Sequence, residues 1–212
     1  MRQPAASQTA VSQTVQDRSI AAGSTRLLVR QTGIVIAATA LVALCAHISI
    51  PLGFTPVPIT LQPFAVLLLG LLLAPGISFA ALSLYLLEGA AGLPVFSPHG
   101  LGGVAQLFGP TGGYLLAAPF AAALAGLIYR NSRNSRNGKR TFLFALAGAA
   151  VGDIVLLAIG ALWLGMLANT SLPVLMSESV VPFLASDAAK VVAAAACAQI
   201  FSSFSKRSAQ TQ

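Results

Sequence analysis

The sequence predicts an all-α integral membrane protein with six transmembrane helices and irregular, Pro- and Gly-rich extracytoplasmic loops. Of the 212 residues, 56% are hydrophobic and only 8% are charged, whereas a soluble domain usually carries about 25% charged residues. Eleven of the twelve Lys and Arg residues lie within residues 1–30, in the segment 130–140 or near the C-terminus, and the exception is Lys190. This composition argues against a soluble enzyme or a nucleic-acid-binding domain, and it predicts that the chain is surrounded by membrane lipid.

The chain divides into three parts by composition. Residues 1–30 are rich in Gln, Ser, Thr and Ala and show no apolar periodicity, which predicts a disordered cytoplasmic tail. Residues 31–204 form the membrane domain, and residues 205–212 form a second cytoplasmic tail.

Six apolar segments are candidates for the membrane spans. The second has 13 residues, so as a helix it reaches about 20 Å, less than a hydrocarbon core of about 30 Å. It follows an apolar stretch, residues 51–63, that contains four prolines and cannot form a regular helix. In lipid such backbone survives only where protein buries it or where it lines a cavity, so we expect a cavity here. The predicted spans are residues 32–50, 61–73, 77–93, 114–128, 142–167 and 180–204.

The positions of the basic residues give the orientation. Four spans separate the N-terminal basic residues from the segment 130–140, and two more separate that segment from Lys206 and Arg207. All three groups therefore lie on one side, which is the cytoplasmic side because short cytoplasmic segments are rich in Lys and Arg. We expect a multi-pass protein of the cytoplasmic membrane with both termini inside. The loops 51–60, 94–113 and 169–179 then lie outside and indicate an outward-facing binding site.

Three ionisable residues lie within the predicted spans. Asp187 and Lys190 are three residues apart and share one face of the sixth span. Charges inside a membrane are costly and are therefore candidates for function. The two residues either pair with each other or contact a ligand that carries N–H donors and a carboxylate. Asp153, in the fifth span, either lines the same cavity, pairs with Lys190, or is a neutral carboxyl group bonded to backbone.

Cofactors, metals and catalysis are not expected from the sequence. His47 and His99 have no ligand-spaced partners, and no phosphate-binding loop or nucleophile–base motif is present. Energy for active transport would therefore come from a partner or an ion gradient. On the first span, Gly33 with Ala37 and Thr39 with Ala43 are small-x-x-x-small pairs, which allow another helix to approach closely.

Several motifs, in order and plausibly spaced over about residues 30–204, resemble the BioY family. Its members are the biotin-specific substrate-binding components, or S components, of transporters of the energy-coupling-factor type. The motifs that carry the resemblance are Pro51-Leu-Gly, Pro56-Val-Pro-Ile-Thr-Leu-Gln62, Gly89-Ala-Ala-Gly-Leu-Pro-Val-Phe96, Gly109-Pro-Thr-Gly-Gly-Tyr-Leu115, Trp163-Leu164 and Asp187-Ala-Ala-Lys190.

The resemblance implies an S-component-like helical bundle that captures biotin from outside. It would act with a transmembrane coupling protein and two ATPase subunits. Alternatively, it would act without this coupling module, either as a single chain or associated with copies of itself. Asp187 would accept hydrogen bonds from the ureido N–H groups, and Lys190 would pair with the carboxylate or the ureido oxygen. Gly33/Ala37 and Thr39/Ala43 stand where relatives use a small-residue pair to dock the coupling protein. The other implied ligand-binding residues are Thr60, Gln62, Phe96, Gly102, Gly103, Thr111, Gly112, Tyr114 and Asp153.

Two other functions remain open at this point. The chain could be an S component for another small vitamin, or an accessory membrane subunit that binds no ligand. An intramembrane enzyme is the least supported reading, because the sequence lacks a nucleophile–base pair.

Overall fold

A computed structural model describes residues 27–132 and 137–208 of the chain. Most of these residues are helical, and one two-stranded sheet interrupts the helices. The elements are α1 (Leu27–His47), β1 (Ser49–Ile50), β2 (Ile59–Thr60), α2 (Gln62–Leu72), α3 (Pro75–Ala90), α4 (Gly103–Leu107), α5 (Gly112–Arg130), α6 (Gly138–Ala168), α7 (Leu172–Ser179) and α8 (Val181–Ser208).

The long helices identify a multi-pass membrane protein. Helices α1, α5, α6 and α8 are each long and apolar enough to cross a membrane. Helices α2 and α3, which correspond to the second and third expected spans, have 11 and 16 residues and reach about 16 and 24 Å. By length, therefore, four of the six expected spans qualify as complete crossings, and the expected count of six is not established.

The helix ends differ from the predicted boundaries at both ends of the chain. Helix α1 begins at Leu27, inside the segment expected to be a tail, and α8 continues past residue 204 to Ser208. The predicted tails otherwise fall on residues 1–26 and 209–212, which lie outside the described residues.

Two short helices occupy segments that were expected to be loops. Helix α7 replaces most of the predicted loop 169–179. It starts with a proline in its first turn, where a missing N–H costs nothing and the fixed φ suits a helix. Helix α4 lies within the glycine-rich segment 94–113, and the residue before it, Gly102, has a φ of 71° that favours glycine.

The proline-rich segment folds back as a small hairpin. Strands β1 and β2 pair antiparallel, with Ser49 opposite Thr60 and Ile50 opposite Ile59. One further bond runs from the Leu61 N–H to the backbone oxygen of Ile48, at 3.0 Å. Because the hairpin reverses the chain, α2 runs antiparallel to α1 and begins at the hairpin end of the bundle.

Small residues bring α2, α5 and α6 into backbone contact near the opposite end. A β-carbon added at Gly70 of α2 would collide with the backbone carbonyl of Ala122 of α5, and one added at Gly148 of α6 would lie 2.6 Å from the carbonyl oxygen of Ala125. Glycine is therefore required at both crossings. The helices therefore approach one another at backbone distance at these crossings.

Basic residues mark the same closely packed end. The start of α6 lies beside the last part of α8, since a β-carbon at Gly138 would be 3.7 Å from Nε2 of Gln199. Arg130 at the end of α5, and Lys139 and Arg140 at the start of α6, are therefore together. Arg133 and Arg136 lie outside the described residues. The hairpin is at the other end, as the sequence predicts for loops on opposite sides of a membrane.

Candidate ligand-binding site

A cavity opens at the hairpin end, between α2, α5, α6 and α8 and beneath the segment that contains α4. Its wall combines apolar side chains with about as many polar ones that converge on the interior, and such convergent polar groups in an apolar wall are typical of a small-molecule site. The lining residues are Val57, Pro58, Thr60, Gln62, Pro63, Val66, Ser97, Gln106, Thr111, Tyr114, Leu115, Ala118, Asp153, Leu156, Leu157, Phe183, Asp187 and Lys190.

An ion pair on α8 forms one wall of the cavity. The Nζ atom of Lys190 lies 2.7 Å from Oδ1 of Asp187, and the two residues are only 8% and 4% exposed. Ser186 lies beside the pair: its hydroxyl donates to the backbone oxygen of Phe183 at 2.9 Å, accepts from Lys190 at 3.5 Å and lies 3.3 Å from Oδ1 of Asp187. The spacing of one helical turn makes this pairing possible. The two residues therefore pair with each other and face the cavity together.

Asp153 faces the cavity from α6, across from the ion pair. It is 7% exposed, and its Oδ1 atom is buried without a hydrogen-bond partner. The cation expected as its partner, Lys190, is bound to Asp187 instead. Of the three roles considered for Asp153, the structure supports its position on the cavity wall.

Seven of the predicted ligand-binding residues are brought together here, and four of them are the uncharged or aromatic residues Thr60, Gln62, Thr111 and Tyr114. The hairpin and the start of α2 supply the first two, and the start of α5 supplies the others. The hydroxyl of Tyr114 donates to the backbone oxygen of Ser179 at 3.1 Å, which links α5 to the end of α7. This bond holds the tyrosine ring against the cavity.

Four predicted residues lie away from the cavity wall. Phe96 is 4% exposed and packs edge-on against Tyr85, with the ring centroids 5.4 Å apart, so it serves the helical core. Gly102 and Gly103 have positive φ and shape the turn into α4. Gly112 provides room for close packing, because a β-carbon there would collide with the backbone of α4.

The structure adds polar residues that the sequence did not single out. Gln106 of α4 is 3% exposed and lines the cavity, and its Oε1 atom accepts from the Gly102 N–H at 3.1 Å. Ser97 is 8% exposed, lines the cavity and has a buried hydroxyl without a partner. One signal was available for Gln106, because it is the one amide side chain in segment 94–113.

The glycine-rich segment is fixed over the cavity by Trp163 of α6. Its indole N–H donates to the backbone oxygen of Gly109 at 2.9 Å. A β-carbon added at Gly113 would collide with the same tryptophan side chain. The Gly109–Gly113 turn and Trp163 therefore depend on each other, which explains why a tryptophan and a glycine-rich turn occur together in this sequence.

The two small-residue pairs of α1 face different directions. Gly33 and Ala37 are exposed, and no atom lies within 4 Å of a β-carbon at Gly33. Thr39 is 4% exposed, donates to the backbone oxygen of Ile36 at 2.9 Å, and lies 3.3 Å from Oε1 of Glu88 on α3. Ala43 packs against the core. Only Gly33 and Ala37 therefore offer an exposed surface for another helix.

Three comparisons relate the chain to known proteins. The family model described as the BioY family matches residues 13–207. A probable biotin transporter BioY of Pyrococcus horikoshii is 35% identical over 170 residues, which cover 80% of this chain and 94% of the relative. A biotin transporter BioY of Thermotoga maritima is 38% identical over 157 residues, covering 74% and 86%.

A solved structure is similar as well. It is the crystal structure of the S component for biotin from an ECF-type ABC transporter, with a TM-score of 0.73 and 27% sequence identity. The match covers 83% of this chain and 92% of that one. The sequence and structural similarities thus extend over almost all of the described residues.

Proposed function

Since this chain belongs to the BioY family, we propose that it is the S component of a transporter of the energy-coupling-factor type, that it binds biotin in the cavity beside α8, and that it takes biotin up across the cytoplasmic membrane. The ion pair Asp187–Lys190 on the cavity wall carries this proposal. An accessory subunit without a ligand has no need for two ionisable side chains in a membrane-embedded cavity, where they are costly.

The chemistry of the cavity matches the chemistry of biotin. The carboxylate of Asp187 accepts hydrogen bonds from the ureido N–H groups, and Lys190 donates to the ligand carboxylate or to the ureido oxygen. Leu156, Leu157 and Phe183 offer an apolar surface to the bicyclic ring. The remaining polar contacts come from the cavity residues Thr60, Gln62, Thr111, Tyr114 and Asp153.

The protein is oriented with its basic end in the cytoplasm. Arg130, Lys139 and Arg140 lie at the closely packed end of the bundle, and cytoplasmic segments are rich in such residues. Both termini are then cytoplasmic, and all six principal helices, α2 and α3 included, are embedded in the membrane. In this orientation the cavity and the hairpin face the outside, from which biotin arrives.

Transport energy comes from partners that bind ATP. The sequence contains no phosphate-binding loop. The similar solved structure is the S component of an ECF-type ABC transporter, which supports a transmembrane coupling protein with two ATPase subunits as the source of energy. The exposed face of α1 at Gly33 and Ala37 is the docking surface for the coupling protein, because small side chains let two helices approach closely.

Binding of labelled biotin to the detergent-purified protein tests the proposal. We expect saturable binding that unlabelled biotin displaces and that thiamine and riboflavin do not. Lys190→Ala should abolish binding at ligand concentrations that saturate the wild type, whereas Ile154→Ala on the lipid-exposed face of α6 should leave binding unchanged. Displacement by thiamine or riboflavin would indicate another vitamin, and absence of saturable binding by folded protein would favour an accessory subunit.

A further inference from the structure

Asp153 is a buried acid without a partner at the centre of a membrane-spanning helix. It lies 15 residues from either end of α6, which spans Gly138–Ala168. Its Oδ1 atom is buried and makes no hydrogen bond, and the residue is 7% exposed. A side chain of this kind costs stability wherever it has no partner, so its presence calls for a partner that the protein itself does not supply.

The charged groups that face Asp153 explain why its charge is not compensated. From α8, Asp187 and Lys190 face it, and they form a neutral pair with each other. From α5 it faces the phenol of Tyr114, and the hairpin and α2 contribute only the uncharged Thr60 and Gln62. Among the described cavity residues, none is a free cation that could balance a carboxylate at position 153.

If Asp153 is protonated, no uncompensated charge remains among the groups that line the cavity. A protonated carboxyl group carries one O–H donor and retains acceptor capacity, and it avoids an unbalanced charge within the membrane. The donor then needs an acceptor inside the cavity. Leu156 and Leu157, which follow one turn later on the same helix, provide none, whereas a bound ligand with an oxygen at this point does.

We propose that Asp153, as the neutral acid, donates a hydrogen bond to an acceptor oxygen of the ligand and thereby selects for ligands that present an oxygen there. This inference rests on the proposed function, in which the ligand is biotin and the acceptor is its ureido carbonyl or its carboxylate. Asp153 is thus a specificity-determining residue that complements the ion pair on α8.

Two substitutions at position 153 test whether the residue binds the ligand as a neutral acid, binds it as a carboxylate, or does not contact it. Asp153→Asn keeps the shape and a donor but cannot ionise, and Asp153→Leu keeps the branched shape, with a larger volume, and has no donor. We expect Asp153→Asn to bind biotin within about threefold of the wild type at pH 6, and Asp153→Leu to bind at least about tenfold more weakly. Ile154→Leu, on the exposed face of the same helix, is the matched control and should match the wild type.

The pH dependence gives a second readout that a structural role would not produce. Because a neutral acid is lost as pH rises, wild-type affinity should fall toward alkaline pH by more than that of Asp153→Asn. The difference between the two profiles isolates Asp153 from Lys190 and Tyr114, which both proteins share. A biotin analogue in which a methyl group replaces the carboxyl group has no oxygen at that end and therefore identifies the acceptor. If the Asp153→Leu loss persists with it, the acceptor is the ureido oxygen, and otherwise it is the carboxylate.

The outcomes that overturn the inference differ from those that overturn the proposed function. Wild-type affinity in Asp153→Leu would show that Asp153 does not contact the ligand. An Asp153→Asn variant as weak as Asp153→Leu, with a wild-type affinity that does not fall at high pH, would show that the residue acts as a carboxylate. Failure of the wild type itself to bind biotin would overturn the proposed function and this inference with it.

Discussion

Replacing one member of the Asp187–Lys190 pair should destabilise the protein more than replacing both. The two atoms are 2.7 Å apart and both residues are more than nine-tenths buried. Removing one partner of a buried ion pair costs about 3–5 kcal/mol, because the other charge is left uncompensated, whereas replacing both by neutral residues is often close to neutral. In Lys190→Met the Asp187 carboxylate loses its cation, and the nearby Ser186 hydroxyl, 3.3 Å away, already donates to the backbone oxygen of Phe183 at 2.9 Å.

The assay is thermal unfolding of the detergent-purified variants with and without biotin. For a chain of this size, 1 kcal/mol corresponds to about 2–4 °C, so Lys190→Met should unfold roughly 6–20 °C below the wild type. The double variant Asp187→Asn/Lys190→Met should recover most of this loss. Biotin at 100 times its Kd should stabilise the wild type by about 2.7 kcal/mol and should stabilise neither variant.

Two results would refute this reasoning. Equal midpoints for Lys190→Met and the double variant would show that the charge of Asp187 is not stranded when the lysine is removed. Stabilisation of the double variant by biotin to the same extent as the wild type would show that the pair lies outside the binding site. The first result concerns the energetics of the pair and the second concerns its function, so the two conclusions are tested separately.

Three further predictions address the packing, the loop and the docking surface. Gly70→Val should lower the unfolding midpoint sharply, since overpacking costs about 1–3 kcal/mol or more, while Gly76→Ala, which meets no atom within 4 Å, should not lower it. Trp163→Phe removes the bond to Gly109 and should weaken biotin binding severalfold without unfolding the protein, as measured by equilibrium binding and by the midpoint. Ala37→Leu on the exposed face of α1 should reduce biotin uptake by cells while purified protein binds biotin as before; reduced binding would show that the change disturbs the bundle.

The sequence predicts features that depend on local composition. Mean hydropathy and proline positions located the principal helices to within a few residues, and they excluded a helix across residues 51–60. The placement of Asp187 and Lys190 on one face follows from three-residue spacing alone. These predictions succeed because a single segment contains all the information that determines them.

Features that depend on contacts between segments could not be read in the same way. Gln106 and Ser97 line the cavity only because α4 folds over it, and Phe96 leaves it because Tyr85 provides a ring contact. Helix α7 was missed although a proline in its first turn favours a helix start.

Helical geometry alone shows that the two small-residue pairs of α1 face different directions. The pair Gly33/Ala37 and the pair Thr39/Ala43 are offset by six residues, which at 3.6 residues per turn places them about 120° apart around the helix. The two pairs therefore cannot share one docking face. Which pair faces outward depends on the Thr39–Glu88 contact between α1 and α3, and only the folded chain reveals it.

The backbone contacts between α2, α5 and α6 have a mechanical consequence. Where a glycine lies directly against a neighbouring carbonyl, as at Gly70 and Gly148, no side chain can change rotamer to absorb a shift between the helices. The three helices are therefore coupled at these crossings, so that a displacement of α5 along its axis must displace α2 and α6 with it.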